Sequence, residues 1–167
     1  LDGVTIAVGF TTIPIVALEF NLSVLHICPN PDFDAYLNYT VNYDLRNSKY
    51  RPNEGFMNSF YQELPISSSN YEIVNAITST KYKKFSNIIT KISFFGKSVN
   101  TLNSEDVRIS KRLYIPSRVL RGFESGKVGP IDKKDYVGGN YLSAVNFNAT
   151  LPNFLTTFQN TDISFFI

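Results

Sequence analysis

The single cysteine and single histidine of this 167-residue chain, Cys28 and His26, stand two positions apart. A thiolate beside an imidazole is a nucleophile pair, and the same two side chains are metal ligands. Either site needs a further His or Cys to be completed, and the chain has none. Cys28 therefore reads as a small apolar side chain at a strand end, and no intrachain disulfide can form. The stretch Gly126-Lys127-Val128-Gly129-Pro130 suggests a phosphate loop. It lacks the Gly-x4-Gly-Lys-Ser/Thr spacing, and no helical pattern follows it. Asp132, Lys133, Lys134 and Asp135 read as solvated loop charges, and Asp106, Arg108 and Lys111 resemble them. No acid, base, nucleophile or metal constellation survives, so the expectation is a protein that is not an enzyme and needs no cofactor. One stretch still asks for a role. Leu120-Arg121-Gly122-Phe123 sets an arginine between a leucine and a glycine-aromatic pair, inside the longest segment without periodicity.

The elements around that stretch are strands. Net charge is +2, too small to favour nucleic acid or a strongly acidic partner. With 14 Phe, 10 Tyr, no Trp and one Met, the composition suits pleated strands better than helices. Residues 36–45 alternate: Leu37, Tyr39, Val41, Tyr43 and Leu45 face one way, Tyr36, Asn38, Thr40, Asn42 and Asp44 the other. A turn rich in Asn, Pro and Gly follows. Further strands are expected at 55–64, 71–82, 87–97 and 139–151, with a last one in "NTDISFFI". The link "KKFS" is short, whereas about 98–137 forms a long loop, and loops beyond about 12–15 residues are usually functional or disordered. The first 26 residues are apolar enough to raise a transmembrane helix, but Gly9, Pro14, Glu19 and the β-branched content favour two strands broken near Pro14. The start at Leu1 suggests a piece of a longer protein.

Strands with one apolar and one polar face occur in two settings. In a soluble β-sandwich the apolar faces pack against each other. In an outer-membrane barrel the apolar face meets lipid and the polar face lines a wet lumen, with strands of about 9–11 residues. Periodicity alone does not separate the two. The short "KKFS" and the long segment after residue 97 lie at opposite ends of the strand 87–97. That is the asymmetry expected of a barrel, whose turns are short on one side of the membrane and long on the other.

The order of motifs then carries a resemblance. "LRGF" in a long loop, then "GPID", then "VGGNYLSAVNFNATLP" resembles the barrel of the BamA-type outer-membrane assembly factors, within the wider bacterial surface antigen family. "YDLRNSKYRPNEGF" is similar to that family's strand-turn-strand, and "NSEDVRISKRLYIPSRVLRGF" to the approach to its loop motif. The resemblance runs over 36–167, and 1–35 is an unmatched segment for which strands are the expectation. It implies an all-β fold, an antiparallel transmembrane β-barrel, of which this chain holds a part, about six to eight strands of about 16.

The same resemblance implies a function: assembly and insertion of β-barrel proteins in the bacterial outer membrane. The implied partners are membrane lipid, unfolded barrel clients and assembly lipoproteins, not nucleic acid. The long loop folds into the lumen, where Arg121 touches the wall, Gly122 permits a tight turn and Phe123 anchors beside Leu120. Arginine suits that role because its planar fork of five donors brackets a carboxylate or several carbonyls. Where the family often has an acid on the following strand, this chain has Asn148, so Glu63 and Glu72 on the neighbouring wall are alternative partners. Asp106, Arg108 and Lys111 could pack in the lumen with the loop. A two-partner secretion transporter shares the motif, and a soluble β-sandwich adhesin or carbohydrate-binding module is the rival of another class.

Overall fold

A computed structural model describes residues 5–9, 17–24, 35–68, 70–152 and 162–167. The fold is all-β. Eight strands form one antiparallel sheet: β1 (Thr5–Gly9), β2 (Ala17–Val24), β3 (Ala35–Asp44), β4 (Gly55–Ser67), β5 (Glu72–Phe85), β6 (Ile88–Thr101), β9 (Tyr141–Leu151) and β10 (Ile163–Phe166). They lie side by side in chain order, so each pairs with its sequence neighbour across a turn or loop. The two short strands β7 (Ile131–Asp132) and β8 (Asp135–Tyr136) form a separate ribbon inside the connection from β6 to β9. The N-terminal segment supplies β1 and β2, paired from Thr5↔Ser23 to Gly9↔Glu19. Pro14, His26 and Cys28 lie outside the described residues. Among the described residues no helix is long and apolar enough to cross a membrane.

Three strands run further than their alternation suggests. β4 extends through Pro65 to Ser67, β5 continues through Lys83 and Lys84 to Phe85, and β6 extends to Thr101. The link "KKFS" is thus mostly strand, closed by a turn at Ser86-Asn87 in which Ser86 takes a φ of 53°. Consecutive lysines look like a loop by composition, but on a pleated strand they simply project to opposite faces. The ammonium of Lys83 lies 4.8 Å from the centre of the Phe85 ring, which helps hold the strand end in place.

Loop asymmetry is a property of β6 rather than of the whole sheet. Residues 102–140 leave one end of β6 and the two-residue turn closes the other. At that turn end, however, the β3–β4 link spans 45–54. It is ordered by its own polar groups: Asn47 Oδ1 accepts from the backbone N–H of Asn53 and Glu54, and Asp44 holds Arg46 in a two-pronged ion pair. Gly55 ends this link at φ 99°, where an added Cβ would stand 2.2 Å from the Leu45 carbonyl oxygen. Only a glycine fits so tight a return.

The register sorts the side chains of the sheet into two faces. One carries Asn38, Thr40 and Asn42 of β3, Ser59 and Glu63 of β4, Glu72, Thr78 and Thr80 of β5, Lys91, Ser93 and Lys97 of β6, and Asn146 and Asn148 of β9. The other carries Val41, Phe60, Ile77, Ile92, Phe94, Val145, Phe147 and Phe165. The burial pattern is inverted relative to a soluble protein. Among the described residues the buried apolar set is Val74, Val99, Val107 and Ala144, all on the polar face or in the loop above it. The apolar face is open: Val145 is 65% exposed, Phe165 64% and Ile92 50%. A sandwich would stack those rows against a second sheet. Here nothing in the described chain covers them, as expected of a wall whose apolar face meets hydrocarbon.

Candidate functional site

The connection 102–140 folds back over the polar face. Backbone bonds tie both of its ends to the sheet: the Leu102 N–H donates to the Tyr71 carbonyl at 2.7 Å, and the Val99 N–H donates to the Asn140 carbonyl at 2.8 Å. Leu113 and Gly139 pair as an isolated antiparallel bridge, which brings the two arms of the loop together. Between these ties a small apolar plug forms from Val107 of the loop, Val74 of β5 and Val99 of β6, with Tyr61 and Leu113 packed against it. Removing a valine side chain from water contributes about 1.5–3 kcal/mol, so three of them make the plug the apolar part of the lock.

The polar part is built on Glu72, whose side chain is fully buried beneath the loop. The Arg108 backbone N–H donates to Glu72 Oε1 at 2.9 Å, and its Nη2 and Nε donate to Oε2 at 3.1 and 3.3 Å. Arg108 Nη2 also donates to the Tyr36 hydroxyl of β3 at 3.1 Å. A buried carboxylate is tolerated only when its lone pairs are met in this way, because desolvation costs several kcal/mol per ion. One turn of 3-10 helix, Ile109–Lys111, then sets the next cation three residues on. Lys111 Nζ lies 3.0 Å from Glu63 Oε1, while the Tyr61 hydroxyl donates to Oε2 of the same carboxylate at 3.0 Å. The Lys111 ammonium also stands 4.2 Å from the Tyr36 ring centre. Three strands, β3, β4 and β5, thus grip two loop cations.

Burial alone would push the Lys111 pKa down, but the hydrogen bond and charge of Glu63 outweigh it and hold the pKa above 10.5. A raised folded-state value stabilises the docked loop below the unfolded pKa, and the gain is lost as pH rises through the folded one. The difference in thermal unfolding between the wild type and Lys111→Gln, followed by circular dichroism, is therefore expected to stay constant from neutral pH to about 10.5 and to shrink above it. A difference that stayed unchanged well into the alkaline range would assign the effect to another group.

Leu120-Arg121-Gly122-Phe123 lies further along the same loop. The Val119 carbonyl beside it accepts from Asn146 Nδ2 of β9 at 2.8 Å, which holds this stretch against the polar face. The Arg121 guanidinium stands 5.1 Å from the Phe166 ring centre on β10. Phe166 pairs with Asn148 in register, and Arg121 and Asn148 line one cleft of about 340 Å³ with Lys91, Thr150 and Ser164. Glu63 and Glu72 are engaged by Lys111 and Arg108 rather than by Arg121. Gly122 takes a φ of 85° in open space, and Phe123 is 56% exposed. Two halves of the expected constellation therefore stand apart, Arg121 with Asn148 over β9–β10 and the two carboxylates over β4–β5. Arg108, Lys111 and Tyr36 are the contacts that the motif alone does not single out. Their signal in the sequence is faint: two cations three apart early in a long loop, and two acids on the polar faces of strands at the end where that loop departs.

The arrangement is a cationic loop bound to the polar wall of a sheet whose other face is largely apolar and bare. Comparison with known proteins agrees with this geometry: the Omp85 superfamily domain matches residues 11–167, a span that takes in much of the N-terminal segment as well as the loop. No curated protein matches the chain. An amphipathic antiparallel wall with an inward-folded loop, matched by that domain over nearly its whole length, belongs to the Omp85 superfamily, the outer-membrane β-barrel proteins of polypeptide insertion and transport.

Proposed function

We propose that this chain is wall and lumen loop of a barrel that assembles and inserts other β-barrel proteins, of the BamA type, in the bacterial outer membrane. The observation that carries the reading is the loop itself, docked on the polar face by Glu72–Arg108 and Glu63–Lys111 and bearing the ordered "LRGF" motif over β9–β10. A docked loop stiffens one side of the wall while the barrel opens at a seam elsewhere. There an incoming client strand satisfies the backbone groups of an unpaired edge, which hydrocarbon cannot do. No covalent step is involved, so the protein acts without enzymatic chemistry. Its partners on this reading are unfolded client strands, membrane lipid and assembly lipoproteins.

Arg121 is proposed to brace the loop against β9 and β10 through the Phe166 face and the cleft beside Asn148. In cells that depend on this gene, Arg121→Gln is expected to lower the steady-state level of outer-membrane barrel proteins several-fold, with little change in strand content by circular dichroism. Unchanged client levels together with unchanged barrel stability would remove Arg121 from the mechanism. Loss of export of one secreted polypeptide, with barrel assembly intact, would point instead to a two-partner secretion transporter.

A further inference from the structure

Lys81 and Lys83 project from the outer, apolar face of β5, near its turn end. Two positions along a strand place them roughly 7 Å apart. Lys81 sits in register between Phe56 of β4 and Ile92 of β6, and Lys83 is opposite Thr90, next to Phe85 and Ile88. The apolar neighbours are open: Ile92 is 50% exposed and Phe85 52%. Both lysines are exposed, and neither makes an ion pair with a described residue. Two carboxylates at that end are taken, Asp44 by Arg46 and Asp162 by Arg51.

A lysine on a lipid-facing wall costs about 2–4 kcal/mol at the bilayer midplane and about 0–1 near the interface. Two ammonium groups without an ion-pair partner among the described residues, one of them over the Phe85 ring, therefore place the turn end of β5 at the headgroup layer. We propose that Lys81 and Lys83 form a binding site for the phosphate of an anionic phospholipid, whose acyl chains run from Ile92 along the exposed Phe94 and Ile77 toward the middle of the sheet. The site rests on the barrel reading. Charge complementarity selects the headgroup, and the apolar rows continuous with the lysines select a lipid over a free anion.

The test is partition of the chain into vesicles of phosphatidylcholine alone and of an equal mixture with phosphatidylglycerol, measured by flotation. The wild type is expected to prefer the mixed vesicles, and Lys81→Gln/Lys83→Gln to lose on the order of tenfold of that preference. Lys81→Arg/Lys83→Arg is expected to keep it. Lys133→Gln/Lys134→Gln removes the same charge from the tip of the β7–β8 ribbon and is expected to leave it unchanged. A preference untouched by the Lys81/Lys83 change, or lost equally in the ribbon variant, overturns the site while leaving the barrel standing. Failure of the wild type to enter either vesicle overturns both.

Discussion

Arg108→Gln is expected to destabilise the docked loop by about 3 kcal/mol, because it leaves the Glu72 carboxylate in a buried place without its cation. The backbone N–H of residue 108 still donates to Oε1, so the loss falls on Oε2, which accepts from both Nη2 and Nε in the wild type. The Tyr36 hydroxyl loses the Arg108 donor in the same change and keeps the Ser68 hydroxyl at 3.3 Å. The readout is limited proteolysis within 102–140, together with the melting temperature in detergent. Arg112→Gln is the comparison. Arg112 pairs with Asp106, which is 73% exposed, and an ion pair that open to water contributes under about 1 kcal/mol. Equal protease sensitivity in the two variants would mean that Glu72 is not the anchor of the loop. The reverse change, Glu72→Gln, keeps an acceptor for the backbone N–H and is expected to cost less than Arg108→Gln, since no charge is then stranded in the dry part of the lock.

Val145→Arg separates a membrane wall from a soluble sheet. The residue lies near the middle of β9, opposite Phe94 on the outer face, and is 65% exposed. In water a charge at so open a position is close to neutral, within about 0.5 kcal/mol. In a bilayer the same arginine stands near the midplane and costs about 2–4 kcal/mol. The expected result is a large fall in the folded, heat-modifiable fraction on refolding into phosphatidylcholine vesicles. Wild-type yield for Val145→Arg would contradict a lipid-facing β9 and with it the orientation of the whole sheet. The contrast with Lys81 and Lys83 follows from depth: the same kind of charge is tolerated at the rim of the wall and costly at its centre.

These two expectations address the two faces separately, and the assembly proposal needs both. On that proposal, a wall bare to lipid on one side and clamped by a cationic loop on the other is stiff where β3, β4 and β5 are gripped through Tyr36, Glu63 and Glu72, and rigidity there confines opening to other strands. The outer face also carries a polar row, in which Tyr39 donates to Gln62 Oε1 at 2.6 Å and the Gln62 side chain donates to Asn75 Oδ1 at 2.6 Å. The row crosses β3, β4 and β5, and Tyr141 donates to Asn100 Oδ1 near the loop end of β9. Amphipathic side chains that satisfy one another suit the boundary between hydrocarbon and headgroups.

Alternation was legible in the sequence because the two-residue period of a strand is local. Leu37, Tyr39, Val41 and Tyr43 reveal their common face with no knowledge of what pairs beside them, and the same holds for Tyr141 to Leu151. The ordered motifs around "LRGF" were legible for the same reason, since each lies within one loop or strand. The end of β5 was hidden, because two adjacent lysines report solvent and not backbone conformation. Which face the loop covers, and which wall carboxylate meets which cation, only the tertiary structure decided. Glu72 and Arg108 stand 36 positions apart, and Asn146 meets Val119 through a return of the chain that no period announces. Such pairings depend on register and loop path, and these follow from the sum of many contacts over the whole sheet instead of from any short stretch.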